Sequence, residues 1–288
     1  MEQRKRNKLL ALFSWGIGGV TGALLLWGAF VEPYRLTVRR EMVVFPGLPP
    51  ALEGCRALLV ADTHFGNTFI DRFRRDRIVR RAQQEKADLC FLLGDYIAVG
   101  SLPGYGAMEE KELKSFFSAL KAPLGTFAVL GNHELWYGRK RMASILESSG
   151  VQLIENRAVS IKGSFTVAGI SDFATTPFNR NQLDVFLKEN APQLLLTHKG
   201  GVLKYLSADW KGTIFAADTH GGQIRIPGVS SLGDFLRGRK ELAPGVSFRW
   251  GRRLFITTGA GGHRSGFRLF CPPEIAVVTF TKGNQIKI

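Results

Sequence analysis

Five apolar segments of this chain each end in a short polar turn that carries aspartate, histidine or asparagine. The segments read RALLVADTHFG, ADLCFLLGDY, GTFAVLGNHE, PQLLLTHKGG and GTIFAADTHGGQ. A short apolar run bounded by turn residues is typical of a buried strand. Open α/β folds place their ligands at the carboxyl ends of the strands. We therefore expect these five turns to meet at one edge of the fold.

The segments between and after these runs indicate the class of fold. DRFRRDRIVRRAQQEKA, KELKSFFSAL and QLDVFLKENA have the spacing of helices, whereas RRLFITTGAGG, RLFCPPEIAVVTFT and NQIKI indicate late strands. VQLIENRAVSI and SFTVAGISDF read as a pair of strands. Helices alternate with strands first and strands dominate later, which predicts an α/β protein whose sheets pack on each other with helices outside.

The polar turns supply donor atoms that suit divalent metal ions. Side chains two residues apart point the same way on an extended chain, so each Asp-x-His pair is expected to face one ion. Carboxylates, imidazoles and an amide oxygen suit manganese, iron, zinc or magnesium. The three cysteines are far apart, which argues against a disulfide framework or a thiolate zinc site. The candidate ligands are Asp62, His64, Asp95, Asn132, His198, Asp218 and His220.

The first forty residues predict a membrane anchor. The stretch from Leu9 to Val31 carries no charge, and as a helix it would span roughly 34 Å, enough to cross a bilayer core. A cleaved signal peptide is the alternative. Basic residues flank both sides, and the positive-inside rule favours a cytoplasmic N-terminus with the main domain outside the cytoplasm. A domain on the cytoplasmic face stays open.

The formal net charge of +15 suggests an anionic partner, such as a phosphorylated substrate, a nucleic acid or an acidic membrane surface. The chain has no regular alternation of aromatic and basic residues that would stack bases, so we do not expect nucleic acid. The arginine-dense helix near residues 72–81 faces either acidic lipid headgroups or solvent. We expect a monomer, since the sequence has no coiled-coil seam.

The motifs ADTHFG, LLGDY, VLGNHE, LLLTH and DTHGGQIRIP, with RLFCPPEI near the end, resemble those of the calcineurin-like metallophosphoesterases. The resemblance is to the membrane-anchored or exported bacterial branch. It implies a four-layer α/β/β/α sandwich with a dinuclear metal centre. With it, the chain divides into a basic tail (1–8), a transmembrane anchor (9–31), a linker (32–44) and the metallophosphoesterase domain (45–288).

The resemblance also implies a role for each turn. Asp62, His64 and His220 would hold the first metal and Asp95 would bridge the two. Asn132 and His198, together with residue 218, would hold the second. His133 would be the catalytic acid beside the substrate. In a separate interpretation, the glycine-rich segment 259–266 forms an anion-binding nest in which His263 and Arg264 touch a phosphate, or it is a solvent loop.

Two departures from the family pattern fall on the second metal. Ala217-Asp218 stands where the family usually has Gly-His, and THKGG stands where it commonly has H-N-P-D. Aspartate is a harder, anionic ligand, so we expect Mn²⁺, with Fe or Mg²⁺ next, in preference to Zn²⁺. The opposite interpretation is a weak or absent second metal.

These observations predict an inner-membrane, single-pass hydrolase of phosphoester or pyrophosphate bonds that uses a metal-bridging hydroxide. Its substrate would be a phosphorylated small molecule or a lipid-linked one at the membrane. A narrower possibility is a UDP-2,3-diacylglucosamine pyrophosphatase of lipid A synthesis. A nuclease is a further alternative, and a catalytically silent module that binds an anion or a partner is an alternative of another class.

Overall fold

The computed structural model describes residues 2–66, 71–98, 108–172, 180–227, 231–232, 244–249, 251–262 and 266–283. The helices are α1 (Glu2–Phe30), α2 (Asp71–Glu85), α3 (Glu110–Ser118), α4 (His133–Tyr137), α5 (Arg139–Ser148) and α6 (Arg180–Asn190). The strands are β1 (Thr37–Val44), β2 (Arg56–Val60), β3 (Leu89–Leu92), β4 (Thr126–Ala128), β5 (Gln152–Leu153), β6 (Arg157–Ile161), β7 (Phe165–Ile170), β8 (Leu194–Lys199), β9 (Thr213–Ala217), β10 (Gly245–Arg249), β11 (Arg252–Ile256) and β12 (Glu274–Thr281).

The strands form two sheets in the described part of the chain. The first sheet has the order β1-β12-β2-β3-β4-β5, and the second has the order β10-β11-β9-β8-β7-β6. Strands β2 to β5 are parallel, as are β7, β8, β9 and β11. The carboxyl ends of each parallel set therefore lie at one edge of their sheet, which is the edge at which open α/β folds bind ligands.

Three apolar cores define the layers. The central core lies between the sheets, where Leu59 and Phe91 of the first sheet join Val167 and Phe215 of the second. One outer core joins the far face of the first sheet to α2, α3 and α5, and the other joins the second sheet to α6. Burial of apolar side chains at three successive interfaces holds four layers together. The predicted four-layer α/β/β/α fold is thus confirmed.

Two segments are organised differently from the sequence interpretation. VQLIENRAVSI contributes to both sheets, since β5 pairs with β4 in the first and β6 pairs with β7 in the second. The segment predicted as a linker, 32–44, contains β1, which pairs in parallel with β12 along eight residues. The strand predicted at NQIKI falls within residues 284–288, outside the described residues.

The N-terminal helix α1 is largely exposed along its described side chains and contacts the domain near its carboxyl end. The segment Phe13–Tyr34 is long and apolar enough to cross a membrane, and within the described residues it is the one such helix. Its Gly28 lies against the domain, because a Cβ there would come within 2.4 Å of the Phe267 ring. The backbone N–H of Arg268 donates to the Gly28 carbonyl at 3.0 Å.

The direction of β1 fixes where α1 enters the domain. Strand β1 runs parallel to β12, and β12 runs antiparallel to β2. Strand β1 therefore begins at the sheet edge where β2 ends. A short 3₁₀ turn at Glu32–Tyr34 is the only ordered element between α1 and β1. Helix α1 thus enters the domain at the edge that carries the polar turns.

Candidate metal centre

The polar turns that follow β2, β3, β8 and β9 meet at one edge of the fold. The Nε2 atoms of His64 and His220 lie 3.1 Å apart. The Nε2 atom of His198 lies 3.3 Å from Asp95 Oδ2 and 3.5 Å from Asp218 Oδ1. These side chains come from both sheets, so the cluster joins the two halves of the fold at the predicted edge.

Subsets of these side chains have the geometry of metal ligands. Donor atoms of Asp62, His64 and His220 all lie within 4.8 Å of one another. The same holds for Asp62, Asp95 and His198. The two groups share Asp62, and a third such group joins His64, Asp95 and His133, with Asp95 Oδ2 3.7 Å from His64 Nε2. The arrangement offers oxygen and imidazole donors at two adjacent positions.

The backbone brings these donors together by turning sharply, and the prediction that each Asp-x-His pair lies on an extended chain is wrong. Five of the eleven non-glycine residues with positive φ in the described chain are candidate ligands. Such residues rarely adopt this conformation, and when they do they cluster at functional sites. The five are Asp62 (φ 51°), His64 (44°), Asp95 (54°), Asp218 (71°) and His220 (50°).

Two glycines let the turns after β3 and β4 touch. A Cβ on Gly94 would lie 2.4 Å from the Gly131 nitrogen, and a Cβ on Gly131 would lie 2.1 Å from Asp95 Oδ1. Gly94 also has φ of +91°, which side-chain-bearing residues rarely adopt. The Gly-Asp and Gly-Asn-His motifs therefore need glycine for close approach, and that approach lets the His133 N–H donate to Asp95 Oδ1 at 2.9 Å.

Glu134 is a structural tie between the same two turns. Its buried carboxylate accepts backbone N–H groups of Asp95 at 2.9 Å, Tyr96 at 2.8 Å and Gly131 at 2.7 Å. Burial raises the pKa of Glu134 to about 7, and the negative charge of Asp95 adds to the effect. Glu134 therefore fixes the loop that carries Asp95.

The ring of His198 has a defined orientation. Its Nδ1 lies 2.8 Å from the carbonyl oxygen of Leu93 and donates to it when protonated there. That leaves Nε2 to face Asp95 and Asp218 with its lone pair. A second hydrogen bond of this kind is what commonly fixes the tautomer of a histidine that binds metal.

Buried polar atoms without hydrogen-bond partners indicate whether a metal ion fits this site. Among the described residues, both carboxylate oxygens of Asp62 and the side-chain oxygen of Asn132 are buried without a hydrogen-bond partner. Buried oxygens left unsatisfied are costly, by about 1–3 kcal/mol each or more when charged. Divalent cations would satisfy these oxygens. The residues present therefore fit a divalent metal centre.

The electrostatics of the cluster agree with this fit. Burial raises the pKa of Asp62 well above its ordinary value, and the charges of Asp95 and Asp218 add to the rise. Burial acts in the same direction on Asp95, but the imidazoles around it, His198 foremost, outweigh it and hold its pKa below the ordinary value. Three carboxylates in so small a buried space require compensating positive charge, which metal ions supply.

The side of the site that comes from the second sheet is held by a residue that the sequence analysis did not identify. The guanidinium of Arg268 is fully buried and donates to the carbonyls of Gly261 at 2.7 Å, Thr258 at 2.8 Å, Cys271 at 3.0 Å and His220 at 3.4 Å. Arg268 lies 48 positions from His220. The only local indication of this role in the sequence was the position of the arginine before the apolar residues of RLFCPPEI.

The described part of the glycine-rich segment supports Asp62. A Cβ on Gly259 would lie 2.6 Å from Asp62 Cβ, and a Cβ on Gly261 would lie 2.3 Å from the Thr63 carbonyl. The Gly261 N–H donates to the Asp62 carbonyl at 2.9 Å. These glycines therefore permit close packing against the first polar turn. The predicted substrate residues His263 and Arg264 lie outside the described residues.

The lysine of the THKGG segment, which departs from the family pattern, forms an ion pair with a buried carboxylate. Lys199 Nζ lies 3.0 Å from Oδ2 of the buried Asp172. The lysine follows His198 and is the last residue of β8. The family's amide is replaced here by a cation that neutralises a buried carboxylate.

His133 lies at the open side of the cluster. Its Nε2 is 3.9 Å from Asp95 Oδ2, and its ring centroid is 4.5 Å from that of His64. Its side chain is 15% exposed, whereas those of His64 and His198 are buried. A histidine next to the metal ligands that still reaches solvent is placed to exchange a proton with a bound substrate.

Known proteins resemble this chain over most of its length. An uncharacterized metallophosphoesterase of Aquifex aeolicus is 29% identical over 276 residues, covering 90% of this chain and 98% of the relative. The UDP-2,3-diacylglucosamine pyrophosphatase LpxG of Chlamydia muridarum is 25% identical, covering 88% of this chain and 92% of the relative. The phosphodiesterase YaeI of Escherichia coli is 25% identical, covering 77% and 81%.

The family model described as calcineurin-like phosphoesterase matches residues 55–222. That match spans the turns from Asp62 to His220 and more than half of the chain. It confirms the resemblance that the motifs indicate, and the structure brings the same turns together. The chain therefore belongs to the calcineurin-like phosphoesterase family and is a metal-dependent phosphoesterase.

Proposed function

We propose that this protein is a membrane-tethered phosphoesterase that cleaves a phosphoester or pyrophosphate bond in a lipid-linked substrate. The observation that carries the proposal is the contact between α1 and the metal centre through Arg268. The backbone of Arg268 is bonded to Gly28 of α1, and its side chain is bonded to the carbonyl of His220. A membrane helix docked beside the site would hold the site at the bilayer surface, where a lipid-linked phosphate lies.

Exposed apolar side chains next to His133 support a lipid-linked substrate. Helix α4 begins at His133, and its next residues include Leu135 and Trp136, which are 45% and 73% exposed. Exposed large apolar groups beside a catalytic cluster fit contact with an acyl chain or with the membrane interface. The relatives named LpxG act on a diacylated sugar nucleotide, according to their names. A UDP-2,3-diacylglucosamine pyrophosphatase is therefore our second, narrower candidate.

We assign the metal ligands as follows. Asp62, His64 and His220 would hold one cation, Asp95 would bridge, and Asn132, His198 and Asp218 would hold the other. When bound, the two cations supply Lewis-acid charge at the phosphoryl oxygens and an activated water. The carboxylate of Asp218 favours Mn²⁺, followed by Fe or Mg²⁺, over Zn²⁺.

Side chains of the protein would supply the remaining catalytic and binding roles. Asp95 is fixed by the Glu134 tie and the His133 N–H, so its carboxylate needs no reorganisation when substrate binds. Nε2 of His133 is placed to protonate the departing oxygen. Lys199, beside His198, neutralises Asp172 at the edge of the site. His263 and Arg264 are our candidates for phosphate contact on the substrate side.

The membrane assignment completes the proposal. We propose a single-pass inner-membrane protein with a basic tail (1–8), an anchor (9–31) and a monomeric catalytic domain. Because β1 belongs to the first sheet, the domain begins near residue 37 in this assignment. The flanking charges favour an extracytoplasmic domain. Action on a nucleotide-linked lipid precursor requires the cytoplasmic side, so a reporter fused to the C-terminus separates the two candidates.

The decisive experiment reconstitutes the full chain in vesicles with Mn²⁺. Release of UMP from UDP-2,3-diacylglucosamine identifies the pyrophosphatase, and hydrolysis of bis(p-nitrophenyl) phosphate alone identifies a phosphodiesterase of other substrates. The Asp95→Asn variant should lose either activity. Cleavage of an oligonucleotide in preference to both substrates would support the nuclease alternative. Absence of hydrolysis with every divalent metal would support the silent module.

A further inference from the structure

A basic groove lies where the chain leaves α1, and none of its residues belongs to the metal centre. Its volume is about 650 Å³, and it is lined by the segment that follows the apolar helix and by one face of α2. Its polar lining includes Tyr34, Arg35, Arg77, Arg80, Arg81 and Gln84. The groove therefore gathers four guanidinium groups at the foot of the anchor.

The spacing of the α2 residues explains this concentration of charge. Residues 77, 80, 81 and 84 recur at intervals of three and four, which places them on one face of the helix. The guanidinium of Arg77 donates to the Tyr34 carbonyl and joins this face to the end of the apolar segment. The arginine-rich face thus borders the groove and is attached to the anchor.

The arginines of the groove lack acidic partners within the described chain. Two carboxylates of α2 lie near this face in sequence, and both are paired elsewhere. Asp76 is paired with Arg75 at 2.9 Å, and the buried Glu85 is paired with Arg40 and Arg56 on β1 and β2. No described carboxylate forms an ion pair with Arg80 or Arg81. Guanidinium groups that converge without a counter-charge are suited to bind a phosphate through paired N–H donors.

The position of the groove indicates the source of that phosphate. The candidate membrane span ends at Tyr34, which is itself a groove residue. Phe73 lies one turn before Arg77 on α2 and is 76% exposed. An exposed aromatic beside arginines is typical of a surface at the interface between headgroups and acyl chains.

We propose that this groove binds the headgroup phosphate of an anionic phospholipid in the leaflet from which α1 emerges. Arg80 and Arg81 contact the phosphate, and Phe73 enters the interfacial layer. The bound lipid gives the domain a second attachment beside the anchor and fixes its rotation about α1. This site is separate from hydrolysis, and it rests only on α1 lying in the membrane.

The test measures lipid binding by the full chain in a neutral maltoside detergent with EDTA, so that the metal centre does not contribute. Dihexanoyl phosphatidylglycerol and dihexanoyl phosphatidylcholine are titrated below their micelle concentrations, and bound lipid is counted by native mass spectrometry. We expect the anionic lipid to bind at least tenfold more tightly. The double variant Arg80→Gln/Arg81→Gln should weaken that binding roughly ten- to thirty-fold, as expected for two basic groups at an anionic surface.

The matched control removes two charges elsewhere. Arg157→Gln/Lys162→Gln lies in the β6–β7 hairpin, where both side chains are exposed, and should leave lipid binding unchanged. Equal affinity for the two lipids, or an equal loss in both double variants, would overturn the proposal. Preferential binding of inorganic phosphate or of a single-stranded oligonucleotide would also overturn it, in favour of a soluble-anion or nucleic-acid site.

Hydrolysis is measured separately, so that the two proposals fail independently. With Mn²⁺, both double variants should hydrolyse bis(p-nitrophenyl) phosphate at the wild-type rate, which also shows that they fold. A wild-type protein that binds the anionic lipid selectively but hydrolyses nothing would leave this inference standing while the proposed function falls. Normal hydrolysis without lipid selectivity would do the reverse.

Discussion

The part of the metal centre built on the first sheet and the part built on the second are held in place by different means. On the first sheet, the turns after β3 and β4 touch directly and share the Glu134 carboxylate. On the second sheet, the backbone of His220 is held by Arg268, a residue 48 positions away that also contacts α1. The turns after β3 and β4 are thus stabilised locally. The second part depends on α1 and on the carboxyl-terminal loop, which also packs against Asp62 of the first part.

The departures from the family pattern fall in this second part. Asp218 replaces the usual histidine, and Lys199 follows His198 with a buried acidic partner. The ligands on the first sheet match the family motifs. The turns on the first sheet therefore keep the residues of the family motifs, and the departures particular to this chain lie on the second sheet. Four substitutions test this division.

The largest effect is expected from Asp95→Asn, which removes the group shared by both parts. We expect kcat/KM to fall by at least about 10³-fold, since several kcal/mol of transition-state stabilisation depends on the metal ions. Steady-state hydrolysis with Mn²⁺ and metal content by mass spectrometry check this. The exposed Asp209→Asn serves as control, and an Asp95→Asn variant with near-normal activity would contradict the bridging role.

Arg268→Lys acts mainly on the second part, and it also alters the loop that packs against Asp62. A lysine cannot reproduce the fork of N–H donors, so we expect a roughly 10- to 100-fold loss of kcat/KM together with weaker metal binding. The matched control is Arg252→Lys. Arg252 is a buried arginine that donates to the carbonyls of Trp210 and Leu206 at the opposite edge of the second sheet. If both variants lose stability but neither loses metal affinity, Arg268 is a structural residue without a positioning role.

Glu134→Gln weakens the first part. The amide keeps one acceptor oxygen for three backbone donors, so at least one buried N–H loses its partner, at a cost of about 1–3 kcal/mol. We expect a lower midpoint of thermal unfolding and about a tenfold loss of activity, since Asp95 is less firmly held. The exposed Glu147→Gln should change neither quantity, and an unchanged Glu134→Gln variant would show that the first part does not need this tie.

Asp218→His gives the second part the family's usual ligand and should have the smallest effect. We expect activity within about tenfold of wild type and a shift of metal preference from Mn²⁺ towards Zn²⁺, because imidazole is the softer donor. Competition between the two metals, followed by metal analysis, measures the shift. An unchanged preference would indicate that residue 218 does not contact the second metal.

The sequence predicted the layers of the fold and the convergence of the ligand turns. Each of those turns follows a buried strand, and the direction of parallel strands brings their ends together without further information. The reason given for the facing of Asp62 and His64 was wrong, because the pair lies in a left-handed turn rather than on an extended chain. Local patterns indicate candidate ligand types, but they do not reveal a strained backbone that only tertiary contacts maintain.

The contacts that the sequence could not predict join distant parts of the chain. No motif beside Arg268 in the sequence predicts that its side chain donates six hydrogen bonds to backbone carbonyls. The pairing of β1 with β12 could not be predicted for the same reason, because an edge strand within residues 32–54 gives no local sign of its distant partner. The basic face of α2 was visible as a pattern, but its position beside Tyr34 required the fold.

The pairing of β1 with β12 also has a consequence during biosynthesis. Thr37 and its hydrogen-bond partner Pro273 are 236 positions apart, so β1 cannot pair until a strand made much later has been synthesised. If α1 inserts as we propose, it would enter the bilayer before that pairing. The nascent polypeptide would then be tethered before its first sheet closes, which would keep the unpaired strand away from neighbouring copies during synthesis.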